Sequence, residues 1–222
     1  MYYDGAQTKL AKQTLSRLAK MEQPFYMGLG YFRPHLPFAV PKKYWDMYNR
    51  EDIPLSSTPF IPKNINIASL HNSGEFNGYQ LTDEKASLDR PLSDDYSRKV
   101  KHAYYASISY LDAQIGKVLD ELKRLGLEDN TIVVLWGDHG WHLGDQLTWG
   151  KHTLFEKALK SALIIKNPRA KNKGFRAEGI EESIDVYPTI IELCGIEAAK
   201  GNEGSSLAKQ LELPSAKGKE AA

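Results

Sequence analysis

Thr131-Ile132-Val133-Val134-Leu135-Trp136-Gly137-Asp138-His139-Gly140-Trp141-His142-Leu143-Gly144-Asp145 is the stretch from which the rest of this chain can be read. Its first six residues form an unbroken β-branched and apolar run, which predicts a strand covered on both faces, as in a parallel sheet. The strand runs straight into Asp138-His139 set between two glycines. In open α/β sheets, ligands bind beyond the carboxyl ends of the strands. Glycines there let the backbone turn sharply and approach a ligand closely. Asp138 offers an oxygen ligand, and His139 offers a nitrogen ligand or a proton-transfer group. A divalent metal or an anion is expected at this edge. The competing reading is local: Asp138 caps the turn and His139 packs against its neighbours.

Upstream, Ser93 predicts a helix N-cap with Asp94 and Asp95 favourably placed in the first turn. Val100, Tyr104, Ser107, Leu111, Ile115, Val118, Leu122 and Leu125 then recur at helical spacing, and Gly126 is a C-terminal stop. Residues 6–20 read as a shorter amphipathic helix. Phe25-Tyr26-Met27-Gly28-Leu29-Gly30 reads as a buried strand, and Tyr31–Phe38 as a proline-stiffened loop. Residues 41–91 carry Pro41, Pro54, Pro59, Pro62 and Pro91 and predict an irregular, substrate-side insertion. Downstream, residues 162–166 predict a strand. Residues 184–194 predict a helix with Pro188 near its first turn, and Asp185 and Tyr187 serve its start and packing. The tail, 211–222, predicts disorder. Helices alternating with strands point to an α/β layered domain, a mainly parallel sheet flanked by helices.

Two further clusters carry chemistry. Lys151 and His152 precede a predicted helix start at which Thr153 and Glu156 are spaced as a capping box. A cation and an imidazole there favour an oxyanion such as sulfate or phosphate, and the alternative is a solvated lysine beside a cap. His35 follows the predicted strand 25–30, so the same sheet edge could hold it, with flanking prolines restricting its imidazole. Alternatively it is a structural loop histidine. His139-x-x-His142 has no third partner at ligand spacing, which argues against a zinc site. His71 and His102 look unremarkable. Cys194, the single cysteine, reads as a small core residue on an apolar helix face.

Composition bounds the rest. The chain has 222 residues, 29 Lys+Arg against 28 Asp+Glu and a formal net charge of +1. Such a balance gives no broad electrostatic case for nucleic acid or an anionic membrane. No apolar run reaches about 18 residues, the length that spans a bilayer. No signal peptide is visible at the amino terminus. One cysteine excludes an internal disulfide framework. No G-x-S-x-G elbow, P-loop or dinucleotide fingerprint is present, and no nucleophile stands out.

Gly30-Tyr31-Phe32-Arg33-Pro34-His35-Leu36-Pro37-Phe38, Tyr104-Tyr105-Ala106-Ser107-Ile108-Ser109-Tyr110-Leu111-Asp112, Gly137–Gly144, Trp149–Glu156, Asp185-Val186-Tyr187-Pro188-Thr189 and Gly204-Ser205-Ser206-Leu207 occur in this order. Together they resemble the sulfatase family, and most closely its iduronate-2-sulfatase-type branch, from about Asp4 to Gln210. The resemblance implies an alkaline-phosphatase-like fold, of which residues 1–210 would be the carboxy-terminal part. It implies hydrolysis of sulfate esters, with sulfated sugars as the substrate class. It also implies a bound Ca2+ with Asp138 and His139 as ligands, and His35, Lys151 and His152 facing the sulfate. The family's nucleophile is a formylglycine made within a C/S-x-P/A-x-R motif. That motif is expected before residue 1, so this portion alone is expected to be inactive. A phosphoesterase of the same superfamily, or a non-catalytic oxyanion-binding fragment, are the alternatives. Family members are typically secreted, periplasmic or lysosomal.

Overall fold

The computed structural model describes residues 2–79, 84–213 and 215–220. Residues 80–83 of the proline-rich segment, and Pro214, Ala221 and Ala222 of the tail, lie outside the described residues. In chain order the elements are α1 (Tyr3–Leu18), α2 (Lys42–Trp45), α3 (Gly74–Gly78), α4 (Asp94–Arg124), β1 (Val133–Trp136), β2 (His142–Leu143), β3 (Trp149–Gly150), α5 (Glu156–Leu159), β4 (Leu163–Lys166), α6 (Val186–Cys194) and α7 (Ala208–Glu212). Two compact units divide them: Met1–Glu128 with His139–Ser161, and Asp129–Asp138 with Ala162–Ala222.

The first unit is built on α4. Ser93 Oγ accepts from the Tyr96 N–H at 3.2 Å, with Asp94 and Asp95 in the first turn, as the sequence predicts. At the other end Gly126 takes φ +70°, where a side chain would be strained, and the Leu127 N–H bonds back to Leu122 at 3.0 Å. Helix α1 packs along α4, burying Asp4, Thr8, Ala11 and Leu15 at steps of three and four. The main core joins Leu36, Phe38, Phe76, Ala86, Leu92, Val100 and Trp149, with Tyr96, Tyr104, Trp141 and Leu143 packed against it. It therefore ties the His35 loop, α3, α4 and β3 to one another. The proline-rich segment contributes to this core through Phe76 and Ala86.

Several local expectations are corrected in this unit. Residues 25–30 join no ladder among the described residues. Their exposure does alternate, with Phe25, Met27 and Leu29 half-buried and Tyr26 83 % exposed. That is the pattern of a strand, but pairing requires a neighbouring backbone. The capping box does not form either. Helix α5 starts at Glu156 with no side-chain cap, because the Thr153 hydroxyl faces His142 Nε2 at 2.8 Å.

In the second unit β1 and β4 pair antiparallel, Val133 opposite Lys166 and Trp136 opposite Leu163. The chain is α/β, but its described strands form two two-stranded antiparallel sheets, β1–β4 here and β2–β3 in the first unit. Nor is β1 covered on both faces as the run predicts: none of its four residues is fully buried and Trp136 is 48 % exposed, because an apolar run names neither the partner that covers it nor that partner's direction. Asp185 organises the rest of this unit. Its carboxylate accepts from the Glu182 N–H at 2.9 Å and the Ser205 N–H at 2.7 Å, and pairs with Lys219 at 2.8 Å. Thr189 donates to the Asp185 carbonyl at 2.6 Å and accepts from the Leu207 N–H at 2.8 Å. These bonds join Asp185–Thr189 to Gly204–Leu207, two of the sequence's distinctive segments. A Cβ at Gly204 would stand 2.1 Å from the Ile184 carbonyl oxygen, so only glycine fits. Cys194 is exposed, against expectation. It lies five positions beyond buried Thr189, about 140° round the helix from it.

Candidate functional site

The site lies in the first unit, and its centre is a shared oxygen. Glu75 Oε1 stands 3.1 Å from His35 Nε2 and 3.3 Å from Lys151 Nζ, and those two nitrogens are 3.5 Å apart. The three side chains are 26 %, 30 % and 17 % exposed, so solvent reaches the cluster.

Each member is held from a different part of the sequence. His35 sits in a loop whose Arg33–Pro34 and Leu36–Pro37 peptides are cis. Arg33 braces that loop by donating to the Ala39 carbonyl at 2.9 Å and the His35 carbonyl at 3.2 Å. The Phe32 ring lies 4.8 Å from the imidazole, and the Phe32 N–H is bonded to buried Asp4 at 2.6 Å. His35 Nδ1 is 3.0 Å from the Leu36 carbonyl oxygen. A carbonyl only accepts, so Nδ1 carries the hydrogen and Nε2 is the nitrogen turned to Lys151 and Glu75. Neutral, Nε2 accepts from the Lys151 ammonium; protonated, it donates to Glu75.

Lys151 follows β3, and its ammonium also lies 5.4 Å from the Trp141 ring centroid. Glu75 lies on α3, which is anchored to β3 in two ways. Buried Ser73 accepts from the Trp149 N–H at 2.9 Å, and Phe76 stacks on Trp149 with centroids 5.5 Å apart. Such an aromatic pair contributes about 0.5–1.5 kcal/mol beyond area burial. Glu75 was not legible in the sequence: it is one acid in an irregular stretch, and its role comes from the fold that sets α3 beside β3.

His71, unremarkable in the sequence, is structural. Its Nδ1 accepts from the Ser73 N–H at 3.0 Å, and its ring fills the space over Gly150. A Cβ on Gly150 would come within 2.7 Å of the His71 ring. Gly150→Ala is therefore expected to lose about 1–3 kcal/mol of stability by overpacking, read as a lower thermal midpoint. An unchanged midpoint would show that the ring moves aside freely. Burial pushes the His71 imidazole below its ordinary value, and nearby His152 and His142 add to this. Burial likewise pushes His142 down.

The remaining sequence candidates fall elsewhere. His152 is exposed and packs edge-on against His71 at 5.6 Å. Among the described residues no hydrogen bond joins it to His35, Glu75 or Lys151. Asp138 is an exposed carboxylate just beyond β1, in the second unit. His139 Nδ1 is 2.7 Å from the Gly140 carbonyl oxygen, so the lone pair of its neutral ring is on Nε2, the form a metal requires. Among the described residues no group of three or more His, Cys, Asp or Glu side chains is arranged to hold a metal ion.

The cluster thus brings an ammonium and an imidazole to one anionic oxygen within reach of solvent, donor types that also bind oxyanions. Comparison with known proteins identifies the family. The sequence profile of the family described as Sulfatase matches residues 1–196. A sulfatase from Formosa agariphila is 35 % identical over 194 residues, covering 86 % of this chain and 36 % of that protein. Human iduronate 2-sulfatase is 31 % identical, covering 87 % of this chain and 40 % of its own length. The solved phosphonate monoester hydrolase of Silicibacter pomeroyi superposes with a TM-score of 0.74 at 29 % identity, covering 93 % of this chain and 41 % of that one. The chain thus spans about two fifths of the relatives it matches.

Proposed function

Because the chain belongs to the sulfatase family, we propose that it contributes the carboxy-terminal share of a sulfuric ester hydrolase acting on sulfated sugars. The observation that carries the reading is the convergence of Lys151 Nζ and His35 Nε2 to 3.5 Å around one carboxylate oxygen. The relatives named for sulfated sugars, iduronate 2-sulfatase among them, support the substrate class.

In this reading the sulfate group takes the place of the Glu75 oxygen. As the S–O bond to the sugar breaks, charge builds on the leaving oxygen, and a preorganised ammonium at Lys151 stabilises it most strongly there. His35 holds a proton at Nε2 for the same oxygen, its ring kept in register by the Nδ1 hydrogen bond. Among the described residues no activated nucleophile stands by the pair; the family's formylglycine would come from outside residues 1–222. Asp138 offers a carboxylate oxygen and His139 an imidazole lone pair, donor types that suit a metal ion, of which Ca2+ takes six to eight, mostly oxygen. A metal ion bound by the whole enzyme would supply charge that draws on the sulfate oxygens. This chain alone would then bind an oxyanion without turnover.

Sulfate release tests the proposal. The form of the protein that carries a verified formylglycine is expected to liberate sulfate from sulfated monosaccharides. No release across a panel of sulfated sugars and aryl sulfates would sink it. A second reading, hydrolysis of phosphate or phosphonate monoesters, is favoured by the similarity to the phosphonate monoester hydrolase. Faster turnover of those esters in the same panel would select it.

A further inference from the structure

Glu75 places an anion inside a site for anions. Its Oε1 contacts both His35 Nε2, at 3.1 Å, and Lys151 Nζ, at 3.3 Å, the two groups that would otherwise meet a sulfate oxygen. Both distances exceed the roughly 2.7–2.9 Å of a strong charge-assisted bond. Its second oxygen, Oε2, is buried and makes no hydrogen bond among the described residues. The carboxylate is thus in place but incompletely satisfied, and its backbone is anchored through Ser73 and Phe76, so only the side chain is left to yield.

We propose that Glu75 is an internal competitor for the sulfate position. The proposal rests on the reading of His35 and Lys151 as the oxyanion-binding pair. With no substrate, the Glu75 carboxylate keeps the imidazole and the ammonium converged instead of letting them repel or disperse into solvent. When a sulfate ester enters, its oxygen takes over the contact and the carboxylate withdraws. The exchange weakens every oxyanion by the same amount. A sulfated sugar recovers that loss through contacts to its ring and hydroxyl groups. Because the penalty is common to all oxyanions it leaves their relative affinities unchanged; it lowers absolute affinity, so free inorganic sulfate, which has no ring or hydroxyl contacts to offset it, is held weakly and leaves readily.

Direct titration of this 222-residue chain with inorganic sulfate, followed by calorimetry and by the His35 ring resonances, tests the idea. Glu75→Gln keeps the size of the side chain and removes its charge. It is expected to tighten sulfate binding by about tenfold, as loss of a like charge a few ångströms away should. Damage to the fold would weaken binding, so a gain cannot arise from disruption. Glu75→Asp, which retains the charge but draws it back, is expected to give a smaller gain and serves if the glutamine variant folds poorly. Sulfate binding that is unchanged or weaker in both variants, yet abolished in Lys151→Met, would overturn the competitor and leave the oxyanion pair standing. Binding that survives Lys151→Met would instead overturn the oxyanion reading, and the competitor with it. Undetectable binding in the parent and in both Glu75 variants would do the same.

Discussion

Under the proposed function, Lys151→Ala is expected to lower kcat for sulfate ester hydrolysis by about 10²–10³-fold in a form of the protein that carries the family's nucleophile. This is the range lost when a preorganised stabiliser of a developing oxyanion is removed. The ammonium is 17 % exposed, touches Glu75 and His35, and lies over Trp141. Among the described residues no second ammonium or guanidinium touches Glu75 in the cluster. Stability should change little, because β3 is held by the Ser73–Trp149 bond and by Phe76, which the substitution leaves intact. The pair of measurements that decides is kcat and the thermal midpoint. A large loss of kcat with a midpoint close to the parent's supports a role in the chemistry. A kcat within a few-fold of the parent's would remove Lys151 from it. In the proposed reading His35→Ala should cost most with poor leaving groups, which need a proton donor, and least with activated aryl esters.

The second large effect is structural. Asp185→Ala is expected to cost about 3 kcal/mol or more, a fall of roughly 6–12 °C in thermal midpoint for a chain of this size. Asp185 is fully buried, and its loss removes the acceptor of the Glu182 and Ser205 N–H groups and one of the two carboxylates that Lys219 contacts, the Glu182 carboxylate being the other. The cost falls mainly on the fully buried Asp185 position, whose carboxylate ties Glu182, Ser205 and Lys219 together; the half-buried Glu182 and the exposed Ser205 can turn their N–H groups to water, so each adds less than the roughly 1–3 kcal/mol of a buried unpaired donor. Asp185→Asn keeps an acceptor and should cost less. The effect has a pH signature. Burial pushes the Asp185 carboxyl up, but Lys219 and the two N–H groups outweigh it and hold the group below its ordinary value of 3.8. A group depressed in the folded state stabilises above its unfolded value, and that contribution disappears as pH falls through the folded value. The gap between parent and variant should therefore hold at neutral pH and narrow below about pH 4. A gap that widens with acid would contradict this account of the carboxylate.

The candidate site was partly legible for a definite reason. His35 and Lys151 each sit in a stretch where glycine, proline or aromatic residues narrow what the backbone can do, and such stretches are visible in one dimension. Their meeting is not visible, since 116 positions separate them and the core of Leu36, Phe38, Phe76 and Trp149 is what closes the distance. His152 was assigned to the site by adjacency to Lys151. Neighbouring residues beyond β3 point to different sides, and His152 turned to His71. Glu75 carries no local signal at all.

Helix α4, its Ser93 cap and its Gly126 stop were determined by sequence alone, because capping and 3.6-residue periodicity are local properties. The same holds for the segments at β1, β4 and α6, where apolar runs and a proline act within a few residues. The tertiary structure decided how those pieces met. It set β1 antiparallel to β4, left residues 25–30 outside any ladder and exposed Cys194. It also put one glutamate oxygen between an imidazole and an ammonium. Strand direction, pairing and side-chain convergence depend on partners far along the chain, and hydrophobic pattern specifies only that a face is covered, not by what.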